Sequence, residues 1–321
     1  MFTLSLLPIV AALAAELPAL PRGAVLGDRP RVIVSTDIGG SDNDDYQSMV
    51  HFLVYADCFD VEGLISSPPK QGRADHIYLV IDAYEKDYAN LIKAAPNYPT
   101  PEHLRGIVKQ GAIDPAHAAG FHAATEGSRW LVERASASDP RPLYVLVWGS
   151  ITDVAQAVHD APAIKDKLRV YAIGAWNTQN DRAARDYLFR EHPDLWWIES
   201  NTTFRGMYVG GIQEGEWGNR SFLDQHVRGH GALGDFLVSK LDAIKMGDSP
   251  SVLYLLKGNP DDPTAPSWGG QYVKTGHGPN YWTDSPDPDL AEDRYPGAKT
   301  VNIWRHDFLD DWQTRMTRCA P

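Results

Sequence analysis

At 321 residues the chain can bury a large core, as one big α/β domain or two smaller ones. It carries 42 acidic against 30 basic side chains, a net charge of −12, which argues against nucleic acid as a partner because phosphate binding needs a basic surface. A content of 43% hydrophobic and 22% charged residues is that of a globular chain. Ten Trp and fourteen Tyr are generous, and sugar-handling proteins use such rings as stacking platforms as well as core.

Residues 1–15, MFTLSLLPIVAALAA, read as a signal peptide. The apolar run is too short to span a bilayer comfortably, and Ala12, Leu13 and Ala14 offer a small-residue cleavage site, although no Lys or Arg precedes the run. No later segment is long and apolar enough to span. The expectation is a secreted product, extracellular or periplasmic, with no membrane partner. Residues 16–29 lead into one domain, 30–321. Glycosylation sequons at Asn201 and Asn219 fit export from a eukaryotic source. The two cysteines, Cys58 and Cys319, are expected to pair, slightly ahead of remaining free thiols.

The stretch VIVSTDIGGSDNDDY, residues 32–46, organises the rest of the chain. Its β-branched start reads as a short buried strand, after which Asp37, Asp42, Asp44 and Asp45 arrive within nine residues. Carboxylates so crowded repel one another unless a cation neutralises them, and oxygen-only ligands favour Ca²⁺, with Mg²⁺ second, over Zn²⁺. The competing explanation is a solvated acidic turn that caps a helix. A helix over 46–56 and a second strand over 61–67 complete a βαβ unit, and open α/β sheets bind ligands at the carboxyl ends of such strands.

Further along, 74–95 reads as a helix and 96–121 as a loop-rich segment with Pro96, Pro99, Pro101 and several glycines. A helix over 125–135 precedes a strand over 143–147, then a helix over 152–158 and a strand over 168–173. Another strand is expected at 195–199, helices at 234–245 and 251–256, long loops over 257–300, then a strand at 301–304 and a helix at 307–318. This alternation predicts an open, mostly parallel sheet with a Rossmann-like core, helices on both faces and long C-terminal loops.

Several segments together resemble the inosine-uridine type of nucleoside hydrolase and, more closely, the secreted nucleoside-hydrolase-like domain of bacterial cellulose-binding proteins. They are STDIGGSDNDD (35–45), WGSITD (148–153), IGAWN (173–177), NTTFRGMY (201–208), GDSP (247–250) and WGG (268–270). The resemblance implies a Ca²⁺ site formed by Asp37, Asp45, the Trp148 carbonyl and Asp248, with Asp42 as an added candidate ligand. It further implies Asp37 as the base that takes a proton from water, and Asp44 as a hydrogen-bond partner of a sugar hydroxyl. Asn177 matches the first of the residues that grip ribose, with Asp181 and Asp186 as candidates for a second. The reaction implied is water attack at an anomeric carbon through an oxocarbenium-like transition state.

The chain departs from that pattern in substrate recognition. Six residues, 38–43, separate Asp37 from the Asp pair where the family has three; Ser35 replaces an Asp and Gly247 a His. Trp176, Trp268 and Trp282 fall in loops where they stack sugar rings or else pack the loops onto the body. Arg205 and Glu199 pair with each other or with substrate, and His226 and His230 read as surface. Two functions are thereby expected: a Ca²⁺-dependent hydrolase of a glycosyl bond in a small saccharide or nucleoside, or a carbohydrate-binding protein, for cellulose or a cell-wall glycan, without turnover. The resemblance also allows a homo-oligomer.

Overall fold

The computed structural model describes residues 29–40, 43–69 and 72–321. The leader at 1–15, almost all of the lead-in and Asp42 lie outside these residues. Strands β1 (Arg31–Thr36), β2 (Asp60–Ser66), β3 (Val108–Gln110), β4 (Leu143–Val147), β5 (Leu168–Ile173), β6 (Trp197–Ser200), β7 (Tyr272–Lys274) and β8 (Tyr281–Asp284) form one sheet in the order β3-β2-β1-β4-β5-β6-β8-β7. Every neighbouring pair is parallel except β7–β8.

The period of two along each strand divides the core between the sheet faces. Val32 and Val34 of β1, Tyr144 and Leu146 of β4, and Tyr171 and Ile173 of β5 face one apolar cluster, which includes buried residues of helices Asp44–Val54, Ser249–Leu256 and Arg305–Met316. Ile33, Val145, Val147, Val170 and Ala172 face the other, which includes residues of helices Glu126–Ala135, Thr152–Asp160 and Arg182–Glu191. Strands covered on both sides read as continuous apolar runs, which is why β1, β4 and β5 were visible in the sequence.

The order also fixes where a site can form. From β1 the sheet grows outward to β2 and β3 on one side and to β4, β5 and β6 on the other. The carboxyl ends of β1 and β4 thus flank a switch point, where the loops diverge and leave a crevice.

Several expectations change. The segment 96–121 holds helix Pro101–Gly106, capped by the Thr100 hydroxyl, and the edge strand β3. The region 257–300, expected as loops, supplies the β7–β8 hairpin that extends the sheet. Residues 301–304 are not a strand: helix Lys299–Asn302 runs almost directly into Arg305–Met316. Buried Val301, Trp304, Arg305 and Phe308 recur at helical spacing, a period that four residues alone do not display. Cys58 and Cys319 are free thiols. Arg315 donates to the Cys58 sulfur at 3.1 Å, while Cys319 is buried in the core. Among the described residues no helix is long and apolar enough to cross a membrane.

Candidate active site

Loops after β1, β4, β5 and β6 enclose a cavity of about 260 Å³ together with Asp44, Asp45 and the segment from Lys245 to Asp248. Asp37 leaves β1 directly; Asp44 and Asp45 form the first turn of helix Asp44–Val54, where the positive end of the helix dipole favours carboxylates. Asp248 stands just before helix Ser249–Leu256, whose start is set by Pro250. Asp37 and Asp45 are each 7% exposed and Asp248 4%. The Thr36 hydroxyl donates to Asp45 Oδ1 and accepts the Ile38 N–H at 3.1 Å, so the end of β1 orients the second carboxylate.

Trp148 closes the cavity from β4. A Cβ at the following Gly149 would stand 2.6 Å from Ser67 Oγ and 2.8 Å from Asp37 Cβ, so only glycine lets the β4 loop lie against Asp37. The Trp148 indole N–H donates to Ser251 Oγ at 2.8 Å, and Ser251 Oγ donates to the Asp248 carbonyl at 2.6 Å. Ser251 thereby ties together two residues that lie a hundred positions apart in the chain and border the same cavity.

After β5 the backbone turns through Ala175, at φ 53°, into the short helix Trp176–Asn180. This turn leaves the Trp176 indole 58% exposed at the cavity mouth. Asn177 Nδ2 donates to the carbonyls of Trp148 (2.7 Å) and Ile173 (3.1 Å). The helical turn Thr203–Met207 contributes Phe204 and Arg205, followed by Tyr208. Lys245 Nζ lies 3.8 Å from Asp44 Oδ2.

The cavity thus gathers Asp37, Asp44, Asp45, Trp148, Trp176, Asn177, Arg205 and Asp248 of the residues singled out in the sequence. It does not include Trp268, which is buried beneath Lys257, or Trp282, which packs on Trp196. Asp181 is buried elsewhere, accepting from Thr152 Oγ1 at 2.6 Å and the Ala116 N–H at 3.0 Å. Burial pushes its carboxyl up to about 6. Asp186 sits among Arg182, Arg185 and Arg190. Glu199 pairs with Arg185 at 2.7 Å and accepts from the Tyr281 hydroxyl, so its partner is not Arg205. His226 rests 3.0 Å from Glu216, as a surface pair.

Sequence reasoning passed over Lys245 and Ser251, and it quoted Thr36, Phe204 and Tyr208 only as parts of motifs. Ser251 stands three residues after Asp248, the spacing at which a side chain in a first helical turn reaches back to the preceding carbonyl; that was the available signal.

A hard cation suits the candidate ligands chemically, since those are carboxylate and carbonyl oxygens. Among the described residues, however, no three His, Cys, Asp or Glu side chains form a ready-made metal cluster. The fit is therefore one of donor type, with the Trp148 carbonyl as the non-carboxylate member.

Sheet order, switch-point crevice and acidic strand-end loop define a nucleoside hydrolase-like α/β protein. The family model described as "Cellulose-binding Sde182, nucleoside hydrolase-like domain" matches residues 31–272, and the chain belongs to that family. No curated protein matches it. Among solved structures it is similar to a nucleoside hydrolase-related hypothetical protein from Saccharophagus degradans associated with carbohydrate metabolism, at 25% identity and TM-score 0.69, over 92% of this chain and 72% of that one. The fold is shared with the plant nucleoside hydrolase PpNRh1, at 14% identity and TM-score 0.52, over 90% of this chain and 99% of that one. It is shared too with the type III effector XopQ, solved with adenosine diphosphate ribose, at 13% identity and TM-score 0.55, over 95% and 94% of the two chains.

Proposed function

We propose that the cavity is the active site of a Ca²⁺-dependent hydrolase acting on the glycosyl bond of a small saccharide or nucleoside. The observation that supports this reading most is that Asp37, Asp45, Trp148 and Asp248 line one cavity together with the exposed Trp176. Asp37, Asp45, Asp248 and the Trp148 carbonyl would hold the ion, with Asp42 as a proposed further ligand. Bound there, the ion would lower the pKa of an attacking water and supply positive charge beside the sugar. Asp37 takes the proton from the attacking water. Asp44 accepts a hydrogen bond from a sugar hydroxyl, and the acidic wall stabilises positive charge developing on the ring. Trp176 stacks on the sugar and screens the reacting carbon from bulk water.

The leader at residues 1–15 makes the product a secreted one, and its removal is read by the mass of the exported chain.

The family's cellulose-binding description favours a second reading, saturable glycan binding on the same surface without turnover. A screen for released reducing sugar and free base separates the two. Hydrolysis by the native chain and none by Asp37→Ala or Asp45→Ala supports the enzyme. Glycan retention with no product in any assay supports the binding protein, and failure to retain or cleave any member of a broad panel defeats both.

A further inference from the structure

The cavity is lined by four carboxylates, Asp37, Asp44, Asp45 and Asp248, with Lys245 3.8 Å from Asp44. Arg205 belongs to the same lining. Its Nη1 donates to the neutral Tyr208 hydroxyl at 2.8 Å, while its buried Nε has no hydrogen-bond partner. The guanidinium carbon lies 4.9 Å from the Phe204 ring centre and 4.8 Å from that of Tyr295. Ring faces fix the plane of a guanidinium without neutralising it. Among the described residues no carboxylate forms an ion pair with Arg205, although the cavity it borders is rich in them.

The segment that carries Arg205 is built stiff. Asp284, at the end of β8, accepts the backbone N–H groups of Asn201, Thr202 and Thr203 at 2.9, 3.1 and 2.9 Å, and Ser200 Oγ accepts that of Phe204 at 3.2 Å. A partly desolvated cation without an ion-pair partner, held in one orientation beside a cavity, is costly in isolation and is completed by an anion. A monoanionic carboxylate suits a single guanidinium, which binds it through two parallel hydrogen bonds. A dianionic phosphate would bring a second negative charge into a space already bordered by four aspartates.

We infer that Arg205 recognises a carboxylate on the sugar, so that the cavity takes acidic saccharides of the uronate class. This rests on the reading of the cavity as a saccharide site. The N–H groups on the Arg205 Nη atoms that are not used by Tyr208 hold the sugar carboxylate, and charge complementarity orients the ring with its anomeric carbon toward Asp37. Neutral glucans leave Arg205 unpaired and bind more weakly.

Calorimetric titration of the full chain with glucuronate, galacturonate and mannuronate disaccharides, each against its methyl ester, tests this. Cellobiose and glucose 6-phosphate serve as the neutral and phosphate arms. At least one uronate is expected to bind about tenfold or more tightly than its own ester, the scale of one charge-assisted pair. In Arg205→Met acid and ester should come within about twofold of each other, with Arg205→Lys between, provided thermal midpoints stay near native. Equal binding of acid and ester by the native chain overturns the inference and leaves the saccharide reading standing. Tighter binding of the sugar phosphate overturns the choice of carboxylate. A preference that survives in Arg205→Met overturns the role of Arg205. Binding of no sugar in any arm defeats the inference together with the reading on which it rests.

Discussion

The Asn177 side chain donates a 2.7 Å hydrogen bond to the Trp148 carbonyl, the one proposed ligand oxygen that belongs to the backbone. A second bond, to the Ile173 carbonyl, ties the loop after β4 to the end of β5. A carbonyl has two lone pairs, so this bond orients the oxygen and leaves it able to bind an ion. It also changes what Asn177 does. Both its N–H donors are spent on the protein, which leaves only Oδ1 for a sugar hydroxyl.

Asn177→Ala is therefore expected to lower Ca²⁺ affinity and turnover together, by about 10- to 100-fold, the usual cost of losing a residue that orients a ligand. Calorimetric titration with Ca²⁺ reads the first and steady-state kinetics the second. A rise in KM with unchanged ion affinity would instead return Asn177 to the role of sugar binder.

The Trp176 indole is largely solvent-exposed and contributes little to the core. Trp176→Ala should leave the thermal midpoint within about 1–2 °C of native, as surface changes of this kind do. Loss of ring stacking should weaken saccharide binding about five- to tenfold. Unchanged affinity would show that the indole does not stack on the ligand.

Ser251→Ala leaves the fully buried Trp148 N–H without an acceptor, a cost of about 1–3 kcal/mol in unfolding free energy. The same change frees the Asp248 carbonyl from the Ser251 hydroxyl. Denaturant unfolding should show the loss, and Ca²⁺ affinity should fall with it. Undiminished stability would show that water or a shifted side chain replaces the hydroxyl.

Asp153 and Asp181 are buried side by side with the loop 111–125. Asp153 accepts from Thr125 Oγ1 and the Ala112 N–H, and burial pushes its carboxyl, like that of Asp181, up to about 6. A carboxyl raised above its unfolded value of about 3.9 binds more protons in the folded state between roughly pH 4 and 6. Stability from these groups is therefore greatest below pH 4 and falls as pH rises through 6, by on the order of 2–3 kcal/mol for each. Asp153→Asn should flatten that part of the profile. Thermal midpoints of native and variant at pH 4.5 and 7.5 check it; the same pH slope in both would show that Asp153 titrates normally. His51, which burial lowers to about 3, pulls the other way in both proteins and cancels in the comparison.

The strands β1, β4 and β5 and the aspartates that follow β1 were legible because each is a local pattern: an apolar run ended by a turn and acidic groups. The helices Trp176–Asn180 and Arg182–Glu191 were not. The first is a single turn entered through a left-handed Ala175, and the second shows the solvent mainly polar residues around a narrow buried line of Ala184 and Leu188. Trp268 and Trp282 illustrate a different limit. Composition marks an indole as a stacking candidate, yet whether it faces a ligand or a core depends on the path of the loop, and the β7–β8 hairpin turns Trp282 inward onto Trp196. The same holds for Arg205 and Glu199: sequence proximity made them natural partners, while Glu199 lies in β6 and meets Arg185 on the opposite side.

Glycosyl-bond hydrolysis by the full chain, followed through chelation and replacement of Ca²⁺, bears most directly on the central claim. Product release is expected to stop in excess chelator, to return on addition of Ca²⁺, and to be absent throughout in Asp45→Ala. Full turnover in chelator, or in Asp45→Ala, would contradict it.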